Sequence, residues 1–164
     1  MDVLDLFPRS ILRGTLPAPL LNQLIDLGES VLANPSASPD ASAKLAGQLR
    51  QQRELRPDQP AVQQLSAEVL LPACDRWIRH VMDRQPPQGR GPWVPGRYRL
   101  QMIDLWINCQ TAGDYNPTHT HGGSFSGVIF LKVPPQITGN SFDGQLCFHG
   151  PEDWHLQSFR TGMA

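Results

Sequence analysis

Apolar residues recur at helical spacing in the first part of the chain. They follow Thr15 and Pro17, which are typical of the start of a helix. The positions are Leu20, Leu21, Leu24, Leu27, Val31 and Leu32. This pattern predicts a first helix, followed by a loop at Asn34–Ala43, a segment rich in Ser, Pro and Ala.

A second helical region is predicted from Asp58-Gln59-Pro60 onward. These residues offer an N-cap and a proline in the first helical turn. Apolar positions at helical spacing follow at Val62, Leu65, Val69, Trp77 and Val81. Pro72 lies inside this region and is expected to kink or divide it, because proline lacks the backbone N–H and crowds the preceding turn.

The pattern changes to that of strands after residues 85–95, a segment rich in proline and glycine. Alternation of polar and apolar residues begins at Tyr98, and both faces become largely apolar further along. The predicted strands are Tyr98–Asn108, Gly127–Val133 and Gly144–Phe148. Turn-forming residues at 134–135 and 140–144 connect the last two. Helices therefore precede antiparallel strands, which predicts an α+β fold.

The composition argues against several classes of function. The chain has 164 residues, enough for one domain with a core, and its 14 basic and 15 acidic residues give a formal charge of −1. This balance gives no electrostatic case for nucleic acid as a partner, nor for an anionic membrane surface. The apolar segments are too short to span a bilayer.

Cysteine usage and the N-terminus predict a cytoplasmic protein. Cys74, Cys109 and Cys147 are widely spaced and form no CxxC pair, so we expect free thiols in a reducing compartment. The N-terminal residues Met1–Asp5 are acidic and differ from a signal peptide.

The candidate site is the motif His119-Thr120-His121. Residues two apart in an extended segment point to the same side, so two imidazoles can converge on one metal ion. Pro117 favours extended geometry before the motif, and Gly122-Gly123 allows a small ligand to approach the backbone. On spacing alone, an HxH pair is more often two histidines that bind no metal. The flanking residues therefore decide the interpretation.

These flanking residues resemble a family of 2-oxoglutarate/Fe(II)-dependent oxygenases that is common in marine bacteria, cyanobacteria and their phages. The resemblance lies in Gly113–His121 (GDYNPTHTH), in Ser124–Leu131 (SFSGVIFL) and in the upstream Trp106-Ile107-Asn108. The spacing from the glycine to the first histidine is also similar to that of prolyl 4-hydroxylases. The resemblance is strong over Tyr98–Phe148 and weak over the N-terminal half.

The resemblance implies a double-stranded β-helix, a jelly-roll barrel, with residues 1–96 as a helical support and residues 97–164 as the first part of the barrel. It implies Fe(II) bound by His119 and His121, with 2-oxoglutarate as co-substrate and ascorbate as a reductant. The polar residues expected near the co-substrate are Asn108, Tyr115 and Asn116. The implied reaction is hydroxylation of a small molecule or peptide that the sequence does not identify.

Two positions depart from the family's usual pattern. His121 occupies the position of a carboxylate ligand, so either both histidines bind the metal, or His121 is the first ligand and Gly123 takes the carboxylate position. The family's alignment favours joint binding. A tyrosine that related hydroxylases use for the co-substrate is replaced by Cys109.

The family's distal histidine, and the basic residue that pairs with 2-oxoglutarate, are expected beyond Ala164. His149, His155 and Arg160 precede the late strands of relatives, so they are not assigned these roles. We therefore expect an incomplete chain that aggregates through unpaired strand edges and lacks oxygenase turnover. One alternative is a non-catalytic, cupin-like metal- or ligand-binding domain, which needs no distal basic residue. Another is a purely structural jelly-roll module in which the HxH motif is incidental.

Overall fold

The computed structural model describes residues 1–6, 9–42, 47–84, 99–148 and 157–159. The chain divides into two compact units, Met1–Ser126 and Gly127–Ala164, which are described separately. None of the helices in the described ranges is long and apolar enough to cross a membrane.

The first predicted helix forms as α1, Ala18–Ala33, and supplies one side of the core of the first unit. Pro19 lies in its first turn, where the missing N–H is not needed. The buried positions of α1, three or four residues apart, are Leu20, Leu24, Gly28 and Val31. This helix packs against α2, Pro60–Leu65, in which Val62 and Leu65 are 0% and 1% exposed. The predicted loop after α1 contains a 3-10 turn at 35–37.

The second helical region is divided near Pro72, as the sequence predicts. A π-helical segment, Ser66–Leu70, follows α2, and α3 then runs over Leu71–Arg84. In a continuous α-helix the ring of Pro72 would press against the carbonyl four residues earlier. The wider π-turn avoids this contact, because the N–H of Leu71 bonds to the carbonyl of Ser66, five residues back.

The start of α2 differs from the prediction in its cap. Gln59 is the N-cap, and its side chain accepts the N–H of Arg56 at 2.9 Å without bonding to the helix. Asp58 pairs instead with the guanidinium of Arg56 at 3.2 Å, because the turn places the two charges side by side. Pro60 occupies the first helical turn, as predicted.

An antiparallel pair that the sequence analysis did not predict lies at the N-terminus. Strand β1, Asp2–Leu6, pairs with β2, Arg9–Arg13. The indole N–H of Trp77, on α3, donates to the carbonyl of Ser10 at 2.8 Å and ties β2 to that helix. Neither DVLDL nor RSILR alternates strictly between apolar and polar residues, which explains the omission.

A second antiparallel pair leads into the site. Strand β3, Gln51–Glu54, pairs with β4, Trp106–Cys109. The sequence predicts a strand over Tyr98–Asn108, but β4 includes only its end, and the described residues 99–105 are not in a strand. The physical reason is the partner: β3 ends at Glu54, and one further backbone bond, from Leu55 to Leu105, extends the pairing.

In the second unit, β5, Leu146–Phe148, pairs antiparallel with β6, Gln157–Phe159. Strand β5 lies within the predicted strand that starts at Gly144. The predicted strand Gly127–Val133 is wrong, because among the described residues none forms a ladder with it. Three of its apolar side chains are exposed, by 57%, 45% and 41% at Val128, Phe130 and Val133.

The described residues thus form a mixed arrangement of helices and three separate two-stranded antiparallel sheets. This agrees with an α+β class, but over these ranges the sheets do not close into a barrel, so a double-stranded β-helix is not shown. The predicted order of helices before strands is wrong, since β1 and β2 precede α1 and β3 precedes α2. The predicted boundary between residues 96 and 97 stays a prediction.

Candidate metal centre

The two histidines of the motif lie together in the loop that follows β4. Nε2 of His119 is 2.9 Å from Nε2 of His121, and the ring centroids are 4.6 Å apart. Both side chains are exposed. Two nitrogen ligands bound to one metal ion at about 2.1 Å, with bonds at right angles, lie about 3 Å apart. The pair therefore has the spacing of adjacent ligands of a single metal ion.

A backbone carbonyl fixes the tautomer of His119. Its Nδ1 lies 2.6 Å from the carbonyl oxygen of Pro117. A carbonyl oxygen only accepts hydrogen bonds, so Nδ1 carries the proton and the lone pair of Nε2 faces His121. Metal-bound histidines commonly donate their other ring N–H to such an acceptor, which fixes the orientation of the ring. His119 therefore has the tautomer of a metal ligand.

Aromatic contacts hold the loop on both sides of the histidines. The indole of Trp106, on β4, stacks on the ring of His121, with centroids 5.9 Å apart and an interplanar angle of 29°. Further along, Phe125 meets Trp77 of α3 edge to face at 5.3 Å. These contacts place the motif between a strand and a helix of the first unit.

The loop before the histidines is held by the segment 47–50, which we call the support segment. Gln48 and Tyr115 exchange two backbone hydrogen bonds, of 2.8 and 2.9 Å. Oδ2 of Asp114 accepts the N–H of Arg50 at 3.0 Å. The same oxygen accepts the N–H and the hydroxyl of Thr111, at 2.8 and 3.1 Å. The backbone that leads to His119 is thus fixed at two successive residues, Asp114 and Tyr115.

These bonds hold the pKa of Asp114 below its ordinary value, and the N–H of Thr111 contributes most. A carboxyl group whose pKa is lowered on folding stabilises the fold above its unfolded pKa, and this contribution is lost as the pH falls through the folded pKa. Below about pH 4, we therefore expect Asp114→Asn to lose less stability than the wild type. The pKa of Asp40 is also lowered, chiefly by the hydroxyl of Ser42. Protonation of Asp40 at acid pH therefore lowers the stability of both the wild type and the variant. Urea unfolding at acid and neutral pH checks this, and equal losses would contradict it.

Three residues are predicted near the co-substrate. Asn108 is on β4, Tyr115 forms the backbone bridge to Gln48, and Asn116 directly follows Tyr115. All three side chains are exposed. Their role stays a prediction. Within the described ranges, no three His, Cys, Asp or Glu side chains are grouped so that they could hold a metal. His149, His155 and Arg160 lie outside the described residues.

The sequence analysis missed the residues that support the site. Gly113-Asp114 is a turn signal that could have been noticed, since Gly113 has a φ of 90°. Gly47 and Gln48 carry no comparable signal, because their partners are far away along the chain; the bonded residues Arg50 and Asp114 are 64 positions apart. Such a contact is visible only in the folded chain.

Comparison with known proteins gives one family. Residues 104–163 match the family described as "Putative 2OG-Fe(II) oxygenase". The matched segment includes His119 and His121, and it supports assignment of the chain to the 2OG-Fe(II) oxygenase family. This confirms the resemblance predicted from the residues around the motif. No curated protein and no solved structure matches the chain.

Proposed function

We propose that this protein is a non-haem dioxygenase that uses Fe(II) and 2-oxoglutarate to hydroxylate a small molecule or peptide. The observation that carries the proposal is the 2.9 Å separation of the Nε2 atoms of His119 and His121 inside the segment that matches the oxygenase family. We propose that both histidines bind the metal, and that the protein adopts the family's double-stranded β-helix fold.

The donor chemistry of the pair suits Fe(II). Imidazole nitrogen is a good ligand for iron, and two adjacent ligands leave coordination positions for a further ligand, a co-substrate and dioxygen. His119 already directs a lone pair toward the position between the rings. With the lone pair of His119 Nε2 facing His121, the neutral ring of His121 places its proton on Nε2, and it would bind a metal through Nε2 as the other neutral tautomer, with the proton on Nδ1. Bound iron would supply the oxidation chemistry, coupled to decarboxylation of 2-oxoglutarate.

The residues of this chain would orient the co-substrate. Asn108, Tyr115 and Asn116 carry amide and phenol groups that can donate to the carboxylates of 2-oxoglutarate. All three are exposed on β4 or on the loop that leads to His119, so their donors are accessible. Trp106 would hold the ring of His121 through the stacked contact and limit its rotation.

Anaerobic calorimetric titration of the chain with Fe(II), and then with 2-oxoglutarate, tests the proposal. We expect one Fe(II) per chain, and we expect 2-oxoglutarate to bind only to the metal-loaded protein. The variant with alanine at both His119 and His121 should bind neither. Equal Fe(II) binding by this variant and the wild type would overturn the proposal.

Succinate formation with Fe(II), ascorbate and 2-oxoglutarate measures turnover separately. Succinate formation that depends on both histidines would support the dioxygenase assignment. Binding of Fe(II) and 2-oxoglutarate without succinate would count against oxygenase turnover by this chain. Fe(II) binding without any binding of 2-oxoglutarate would favour the non-catalytic metal-binding alternative.

A further inference from the structure

We propose that Gly47 and Asp114 are positioning residues for the metal-binding pair, because they fix the loop 111–117 against the support segment and so place the Pro117 carbonyl under Nδ1 of His119. This inference rests on the proposed function, since it assumes that His119 is a metal ligand. Neither residue contacts the histidines in the structure, so each would act through the backbone between them.

Gly47 allows two backbone segments to approach closely. A Cβ atom at this position would overlap the carbonyl oxygen of Tyr115 and would lie 2.7 Å from both Cα of Asn116 and Cδ of Pro117. Two of these atoms belong to the backbone and the third to a proline ring, so none can rotate away. Any larger residue must therefore displace the segment 115–117, which ends two residues before His119.

Asp114 fixes the same loop by a second set of bonds. One carboxylate oxygen, Oδ2, accepts three hydrogen bonds and so joins the N–H of Arg50 to the N–H and hydroxyl of Thr111. A charged acceptor makes these bonds stronger than neutral ones. Without the carboxylate, Thr111 and Arg50 lose their common acceptor, and the loop is held to the support segment through the Tyr115 bridge.

The path from these contacts to the metal pair is short. Tyr115 is bonded to Gln48, Pro117 packs on Gly47, and the carbonyl of Pro117 accepts Nδ1–H of His119. A shift of this carbonyl would release the ring of His119 and misalign its Nε2. Groups that orient a metal-bound histidine typically contribute about 10- to 100-fold to metal affinity.

Titration of the full chain with Co(II), followed by its visible absorption, tests the proposal. We expect Gly47→Ala and Asp114→Ala to weaken Co(II) binding by about tenfold each, at the lower end of that range. Asp114→Asn should restore most of the affinity, because one amide oxygen can take the place of Oδ2 for all three donors. Gly127→Ala is the matched control, since a Cβ there would have no atom of the described residues within 4 Å, its two chain neighbours aside.

Parallel measurements separate positioning from general destabilisation. Asp114 is half-buried, so Asp114→Ala is expected to fold, and its far-UV circular dichroism and thermal midpoint are recorded without metal. If Gly47→Ala does not fold, the Co(II) affinities of Asp114→Ala and Asp114→Asn decide whether the inference holds. Wild-type Co(II) affinity in a folded Asp114→Ala protein would overturn this inference and leave the proposed function intact. Equal affinity in the wild type and in the variant with alanine at both His119 and His121 would instead overturn the proposed function.

Discussion

Replacing His119 with alanine is expected to lower the affinity for Fe(II) by more than about 100-fold, a larger loss than follows from removing a group that only orients a ligand. The reason is the pairing of two Nε2 atoms 2.9 Å apart, of which the one on His119 already presents its lone pair. A single remaining imidazole on an exposed loop holds the metal weakly. Anaerobic titration with Fe(II) measures the effect directly.

The same change at His121 distinguishes two arrangements of ligands. If both histidines bind the metal, His119→Ala and His121→Ala lose affinity to a similar extent. If His121 is the first ligand and Gly123 occupies the carboxylate position, only His121→Ala loses it. Full Fe(II) affinity in His119→Ala would therefore rule out joint binding. The observed distance between the rings supports joint binding as the expected result.

A matched control lies between the two histidines. Thr120 is exposed, and neighbouring residues in an extended segment direct their side chains to opposite sides, so Thr120→Ala removes a side chain of the loop and no metal ligand. We expect this variant to bind Fe(II) like the wild type. A loss of affinity at Thr120 equal to that at His119 would show that any change in the loop disrupts the site.

Replacing Leu65 with alanine is expected to lower the free energy of unfolding by about 2 to 5 kcal/mol. Leu65 is 1% exposed at the end of α2, on the side that packs against α1. The change removes buried apolar surface and leaves a cavity between two helices. Because total stabilities are about 5 to 15 kcal/mol, this is a large fraction of the whole. Urea unfolding followed by circular dichroism measures it.

Leu71 provides the comparison for this variant. It is the same residue type in the same helical region, but it is 36% exposed at the start of α3. We expect Leu71→Ala to cost about 1 kcal/mol or less, as is usual for a partly exposed position. If the two variants unfolded at the same urea concentration, the assignment of Leu65 to the core would be contradicted.

The helices could be predicted because their information is local. The spacing of Leu20, Leu24 and Val31 defines the buried side of α1 without reference to other residues. Pro72 likewise predicts a division of the second region, although its form, a π-turn, depends on how the chain accommodates the ring. Predicted strands were less reliable because a strand also needs a partner. Gly127–Val133 has an apolar, β-branched sequence, yet it pairs with none of the described residues.

The strand β3 shows the opposite error, because it forms although no strand was predicted there. Gln51–Glu54 has no apolar alternation, so no strand was predicted, but its backbone pairs with β4. That pairing determines where β4 begins. Of the predicted strand Tyr98–Asn108, only the end that lies opposite β3 therefore forms a strand. The information for it lies more than fifty residues away along the chain.

The sequence by itself predicted the candidate ligands of the site: two imidazoles at i and i+2, extended geometry favoured by Pro117, and flanking residues that resemble an oxygenase family. Covalent spacing and backbone sterics suffice for these, because they act over a few residues. Only the tertiary structure decided how the pair is held. The close approach at Gly47, the common acceptor at Asp114 and the stacking of Trp106 on His121 join segments distant in sequence. Such contacts exist only after folding has closed the intervening loops.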